Sequence, residues 1–297
     1  MAEFVISAMG HVAIRVTDLD AAVWTATQIM GLRESERVDD TVYLTHGSPH
    51  HSLQYLGGAT DGVDHIGLVA SDASALEEIR RRVDRAGHEV ISDTPLDVGI
   101  EEGFAFSGPD GFVYEIYIGM EDGQPTYPPT GVRPTRFGHV NLYSSDIEAT
   151  RSFFEEILDF RLCDTVGDRE GFFLRCNVDH HGVAVLRGEG VMHHHAWEVE
   201  SIADLGRLGD YLDDCGRHLL WGPVRHGIGR NIAAYFREPA GTVVEFYTDM
   251  ERIYDEHSFV PRVWQTDDQR WYSFWAPMRN PEFRTYGLPA VVRQHSG

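Results

Sequence analysis

The sequence predicts an α+β fold of four βαβββ modules in two tandem halves, each half a curved mixed β-sheet around a barrel-like cavity with its helices outside. The first observation behind this is a shared opening. GHVAIRVTD from Gly10, DHIGLVASD from Asp64, GHVNLYSSD from Gly138 and HHAWEVES from His194 each begin with a histidine on an alternating apolar run. All four close on Asp or Ser, residues that cap helix N-termini. The second is helical spacing directly after the openings, seen in Phe153, Phe154, Ile157 and Leu158 of the third segment and in Ile202, Leu205, Leu208 and Leu212 of the fourth. The third is a set of shorter alternating runs separated by Gly, Pro, Asp and Asn, such as GFFLRCN, HGVAVLRG, NIAAYFRE and GTVVEFYTD. These read as strands joined by turns.

The modules also pair at long range. PHHSLQYL from Pro49 corresponds to DHHGVAVL from Asp179, and GPDGFVYEIYIG from Gly108 to EPAGTVVEFYTD from Glu238. His51 and His181, His65 and His195, and Glu115 and Glu245 are each separated by 130 residues, and His11 and His139 by 128. The expected organisation is an N-terminal half over 1–122, structural in role, a proline-rich linker over 123–135, a C-terminal half over 136–252 that carries a metal site, and a tail over 253–297 rich in aromatic residues and proline. That tail suits either covering the mouth of an active site or packing in the core or between subunits. Its Arg270 and Arg279 could meet a substrate carboxylate or serve solubility.

Composition narrows the functional classes. A formal charge of −22 over 297 residues, with no basic run, argues against nucleic-acid and anionic-membrane partners. Cys163, Cys176 and Cys215 are odd in number and lack CxxC spacing, so a disulfide framework and a zinc ribbon are both unexpected. With no long apolar run and no signal-like N-terminus, a cytoplasmic location is expected. Small-molecule chemistry is the better expectation, in a homo-oligomer.

Three strands of the second half carry metal-ligand side chains. Side chains alternate between faces along a strand, so His139 travels with Asn141, His195 with Trp197, and Glu245 with Val243 and Tyr247. Only one face of the triplet His193, His194 and His195 can point at a metal. The repeat selects His195, through its 130-residue partner His65, and leaves His193 and His194 as turn or strand-entry residues. Two imidazoles and one carboxylate from separate strands make a facial triad that leaves the opposite metal face open. The first half holds the parallel set His11, His65 and Glu115 with His51, which leaves open whether it binds a second metal. Trp197, Phe173 and Trp221 suggest an apolar aromatic pocket, or simply core.

The segments GHVNLYSSD, CNVDHHGVAVL, HHAWEVES, RHGIGRNIAAYF and EPAGTVVEFYTD resemble the type I extradiol ring-cleavage dioxygenases of the vicinal oxygen chelate superfamily, along nearly all of the chain. The resemblance implies an oxidoreductase that inserts both atoms of O2 into a catecholic substrate in aromatic catabolism. It implies Fe(II), with Mn(II) possible, on His139, His195 and Glu245. It also implies an acid–base histidine at His181 rather than at the adjacent His180, and a substrate-holding pair at His226 and Tyr235, with Asn141 near the oxygen site. The first half departs from the pattern by keeping an apparent ligand set, yet it has Leu96 and Ala105 where the second half has His226 and Tyr235. The other readings are a metal-dependent isomerase, lyase or thiol transferase of the same fold, or a non-catalytic protein that binds an aromatic compound.

Overall fold

The computed structural model describes residues 4–123, 130–275 and 281–293. Arg279 and part of the predicted linker lie outside these described residues. The first module runs β1 (Ile6–Val16), α1 (Leu19–Thr25), β2 (Arg33–Val38), β3 (Thr41–Thr45) and β4 (Leu53–Gly57). The second runs β5 (Gly62–Ala70), α2 (Ala73–Ala86), β6 (Val90–Ser92), β7 (Ile100–Ser107) and β8 (Val113–Met120). The third is β9 (Arg136–Ser144), α3 (Ile147–Ser152), β10 (Arg161–Val166), β11 (Gly171–Arg175) and β12 (Val183–Arg187). The fourth is β13 (Val191–Glu198), α4 (Ile202–Asp214), β14 (Trp221–Arg225), β15 (Ile232–Arg237) and β16 (Val243–Thr248). The tail adds β17 (Arg262–Trp264) beside β10 and β18 (Leu288–Pro289) beside β13.

Each opening strand gives way to a helix at the residue its sequence marks. The carboxylates of Asp18, Asp72 and Asp146 accept from the amides of Ala21, Ala75 and Ala149. Ser201 caps α4 with Asp204, whose carboxylate accepts from the Ser201 amide at 2.9 Å. Leu205, Leu208 and Leu212 of α4 are buried. Ile202, grouped with them by spacing, is the first residue of the helix and is 48% exposed. The helices after β1 and β9 widen into π-helical turns at Ala26–Met30 and Phe153–Ile157. The second of these seats Phe153 and Phe154 against Tyr114 of the first half, with ring centroids 5.1 and 5.7 Å apart.

Both sheets follow one plan. The first has the order β2-β3-β4-β1-β5-β8-β7-β6, and the second places β9 and β13 side by side with β12 and β16 outside them. The opening strands of paired modules are antiparallel neighbours, while β4, β8, β12 and β16 each run parallel to the opening strand of their own module. One apolar core continues through both halves, from Ile14 and Phe106 to Leu142 and Phe246. A polar clasp crosses it where the Tyr55 hydroxyl donates to Glu238 Oε2 at 2.5 Å. No helix among the described residues is long and apolar enough to cross a membrane. All three cysteines are free, Cys163 and Cys176 buried and Cys215 exposed.

Removing the Tyr55 hydroxyl leaves a buried carboxylate with one partner fewer. Tyr55→Phe is expected to lower unfolding stability by about 1–3 kcal/mol in urea titration. A change below about 0.5 kcal/mol would mean the clasp contributes nothing.

Candidate active site

Residues directly opposed in a ladder share a face of the sheet. In the second half His139 opposes Ala196, Ala196 opposes Glu245, Asn141 opposes His194, and Tyr235 opposes Glu245. His139, Asn141, His194, Tyr235 and Glu245 therefore project from one face. Single-residue bulges at Gly138 and His193 adjust the β9–β13 ladder to make this so. His194 Nε2 lies 3.0 Å and His139 Nε2 3.4 Å from Glu245 Oε2. One ligand atom from each of these three buried residues falls within 4.8 Å of the others. Two nitrogen donors and one carboxylate oxygen suit a divalent first-row metal.

The expectation of His195 is corrected here. His195 points to the opposite face, where Trp197 Nε1 donates to its Nδ1 at 2.8 Å and its Nε2 lies 3.4 Å from Glu238. The error lies in the offset. His65 opposes Ala13 on β1 as His194 opposes Asn141 on β9, so the offset on this strand is 129 residues, not 130. The counterpart of His195 is the buried Ile66. The helix caps carried the needed signal, because Asp72 and Ser201 are themselves 129 apart. Trp197, paired with His195 by alternation, belongs to the core and not to the pocket.

Above these three converging groups lies a partly open cavity. His181, His226, Tyr235 and Asn141 all line it, as do Phe173 and Trp221. The tail contributes Trp271, Tyr272 and Phe283 to its lining, so these described residues of the tail stand over the site. Arg270 is exposed on the same segment. The His181 ring centroid is 4.5 Å from that of His139. Burial, and then the imidazoles of His139 and His180, hold His181 well below the ordinary histidine pKa, so its ring is neutral at pH 7. His180 turns the other way, with its Nε2 3.4 Å from Asp164. His226 Nδ1 lies 2.5 Å from the Tyr272 carbonyl, a contact that needs the proton on Nδ1. Its Nε2 then accepts from the Tyr235 hydroxyl at 2.6 Å.

Asn231, which sequence reasoning missed, and His193, which it read as a turn or strand-entry residue but which lies inside β13, orient the converging groups. Asn231 Nδ2 donates to Glu245 Oε1 at 3.0 Å, which leaves Oε2 for His139 and His194. His193 Nε2 reaches the Phe283 carbonyl at 2.5 Å and its Nδ1 lies 2.7 Å from His194 Nδ1. With the His193 proton on Nε2, its Nδ1 accepts from His194 Nδ1–H, and His194 Nε2 is left with a lone pair. Burial favours the neutral acid of Glu245, but the imidazoles of His139 and His194 outweigh it and hold the carboxyl well below its usual range. In the first half His11, His65 and Glu115 also converge, joined by Asp97.

The family model for the glyoxalase/bleomycin resistance protein/dioxygenase superfamily matches residues 8–116 and 136–246, one match to each half. The chain belongs to this superfamily. It is 28% identical over 281 residues to the metapyrocatechase of Pseudomonas sp. (strain CF600), covering 87% of this chain and 91% of that one. It is 25% identical over 296 residues to the manganese-dependent 2,3-dihydroxybiphenyl 1,2-dioxygenase of Geobacillus genomosp. 3, covering 90% and 94%. Among solved structures, the Mn(II)-bound glyoxalase from Novosphingobium aromaticivorans superposes with a TM-score of 0.87 at 26% identity, over 99% of this chain and 97% of that one. Homoprotocatechuate 2,3-dioxygenase from Brevibacterium fuscum superposes with a TM-score of 0.91 at 18% identity, over 97% and 94%, a likeness of fold.

Exchanging the two neighbouring histidines separates the two faces. His194→Ala is expected to abolish metal retention at this site in the folded protein, whereas His195→Ala keeps the metal and loses about 1–3 kcal/mol of stability. Metal analysis after gel filtration, with thermal unfolding alongside, checks both; the reverse pattern would refute the facing assigned to β13. His193→Ala is expected to weaken metal affinity about 10- to 100-fold, measured by competition with a chromophoric chelator. Unchanged affinity would show that the Phe283–His193 chain does not orient His194.

Proposed function

We propose that the chain is an extradiol ring-cleavage dioxygenase that opens a catecholic ring beside one hydroxyl and incorporates both atoms of O2, with His139, His194 and Glu245 as its metal ligands. The observation that carries this reading is the placement of three converging ligand groups beneath a cavity that also holds His181 and the hydrogen-bonded pair His226 and Tyr235. The dioxygenase names of the relatives support it. Iron(II) is the metal we expect, and manganese(II) suits the same donors.

A divalent ion held by this triad would supply Lewis acidity toward the substrate hydroxyls and an open face toward the cavity. The protein's own groups account for binding and proton movement. The Tyr235 hydroxyl, which donates to His226 Nε2, is an acceptor toward a substrate hydroxyl in this reading. A proton leaving the substrate can pass through Tyr235 to His226, whose other nitrogen is tied to the Tyr272 carbonyl. On the other wall, neutral His181 can take up a proton and return it to an oxygen of the reacting ring. Phe173 and Trp221 supply flat apolar walls for the ring, and the tail residues Trp271 and Phe283 add apolar surface around it. The paired groups His226 and Tyr235 favour this chemistry over an isomerase or lyase on the same fold, for which they have no evident use.

Anaerobic loading with Fe(II), and then exposure to a panel of substituted catechols, is expected to give oxygen consumption and a coloured ring-opened product with at least one of them. His181→Ala is expected to lower kcat by about 100-fold or more with metal content unchanged. A loaded protein that consumes no oxygen with any catechol would contradict the reading.

A further inference from the structure

The first half contains a convergence of ligand groups that the proposed reaction leaves unused. His11 Nε2 lies 3.2 Å from Asp97 Oδ2 and 3.2 Å from Glu115 Oε2, while His65 Nε2 lies 3.1 Å from His11 Nε2, 3.0 Å from Asp97 Oδ2 and 3.8 Å from Glu115 Oε2. Four donors on a tetrahedral ion with bonds of about 2.0–2.1 Å would stand about 3.3–3.4 Å apart. The observed separations scatter around that edge. The side chains of the four are 0 to 3% exposed, and Glu115 Oε2 has no correctly directed hydrogen-bond partner despite its burial. A side chain on residue 67 would strike the His11 ring, since a Cβ there would lie 2.1 Å from it, so Gly67 clears the space this ring occupies.

Three of the four donors are also oriented from outside in the manner of metal ligands. Asp64 Oδ1 lies 3.0 Å from His65 Nδ1, which directs His65 Nε2 inward. Gln54 Nε2 donates to Asp97 Oδ1 at 2.5 Å, and the Leu96 amide donates to Glu115 Oε1 at 2.6 Å. Each carboxylate is left with one oxygen facing the centre. This repeats the second half, where Asn231 occupies Glu245 Oε1 and leaves Oε2. The halves differ in the group that completes the set. Asp97 adds a fourth protein donor, and Ala105 opposes Glu115 where Tyr235 opposes Glu245.

We propose that His11, His65, Asp97 and Glu115 bind a second divalent metal, best matched by zinc(II), as a closed structural site. His51, the counterpart of His181, stands beside the set with its Nε2 3.3 Å from Asp97 Oδ2, but four protein donors and Leu96 and Ala105 in place of His226 and Tyr235 are the marks of a structural rather than a catalytic centre. The charge of a divalent ion offsets the two carboxylates, and both imidazoles bind it neutral. The site stands independently of the reaction proposed for the second half.

The test is zinc stoichiometry by elemental analysis on the full chain, stripped with a chelator, reloaded with Zn(II) alone and desalted. Two zinc ions per chain are expected in the wild type, one in His194→Ala and one in Asp97→Asn. One ion in the wild type and none in His194→Ala would overturn the proposal, as would two ions retained by folded Asp97→Asn. If Asp97→Asn does not fold, His194→Ala decides alone, one ion supporting and none refuting. Two ions retained by His194→Ala would refute the ligand set of the second half while leaving this proposal standing.

Discussion

The chemistry of this chain depends on the registry between the opening strands of paired modules, and that registry is set by two bulges that both halves share. In the second sheet Gly138 and His193 are the extra residues, and in the first Gly10 and Asp64 occupy the matching places. A one-residue slip in a strand exchanges its buried and exposed faces. Without the bulge at His193, the imidazole of His195 and the indole of Trp197 would compete for the side that His194 now holds. The bulged residue is then used again, because His193 sits where it can fix the tautomer of its neighbour.

The repeat supplies the scaffold twice, and the halves diverge in a few side chains. In both, a glutamate on the last strand is held through one oxygen and offers the other. Opposite that glutamate the second half has Tyr235, with His226 behind it, and so has room and proton acceptors for a substrate. The first half has Ala105, with Asp97 closing the centre. The tail is joined to this difference. It lends Tyr272, Phe283 and Trp271 to the second half's cavity, and its carbonyls tie down His226 and His193.

Much of this was legible in the sequence, because period-two and helical patterning with caps at Asp18, Asp72, Asp146 and Ser201 leave few alternatives to four βαβββ modules. His139 and Glu245 were legible for the same reason, since each is the one ligand-type residue on its strand face. His195 was not, because three adjacent histidines make the choice depend wholly on registry, and bulges change registry without leaving a distinctive residue. Asp97 and Asn231 were missed since both lie outside the opening strands, in loops whose course is set by tertiary packing. The tail's role over the cavity was one of several open readings, as aromatic composition alone does not say which surface it covers.

The claim that the rest depends on is that His194, and not His195, faces the metal together with His139 and Glu245. Anomalous diffraction from crystals grown with Mn(II) tests it most directly. The account predicts a peak within bonding distance of His139 Nε2, His194 Nε2 and a Glu245 carboxylate oxygen, at the floor of the cavity beneath Tyr235. A peak bonded to His195, or none near His194 in protein that retains manganese, would contradict it.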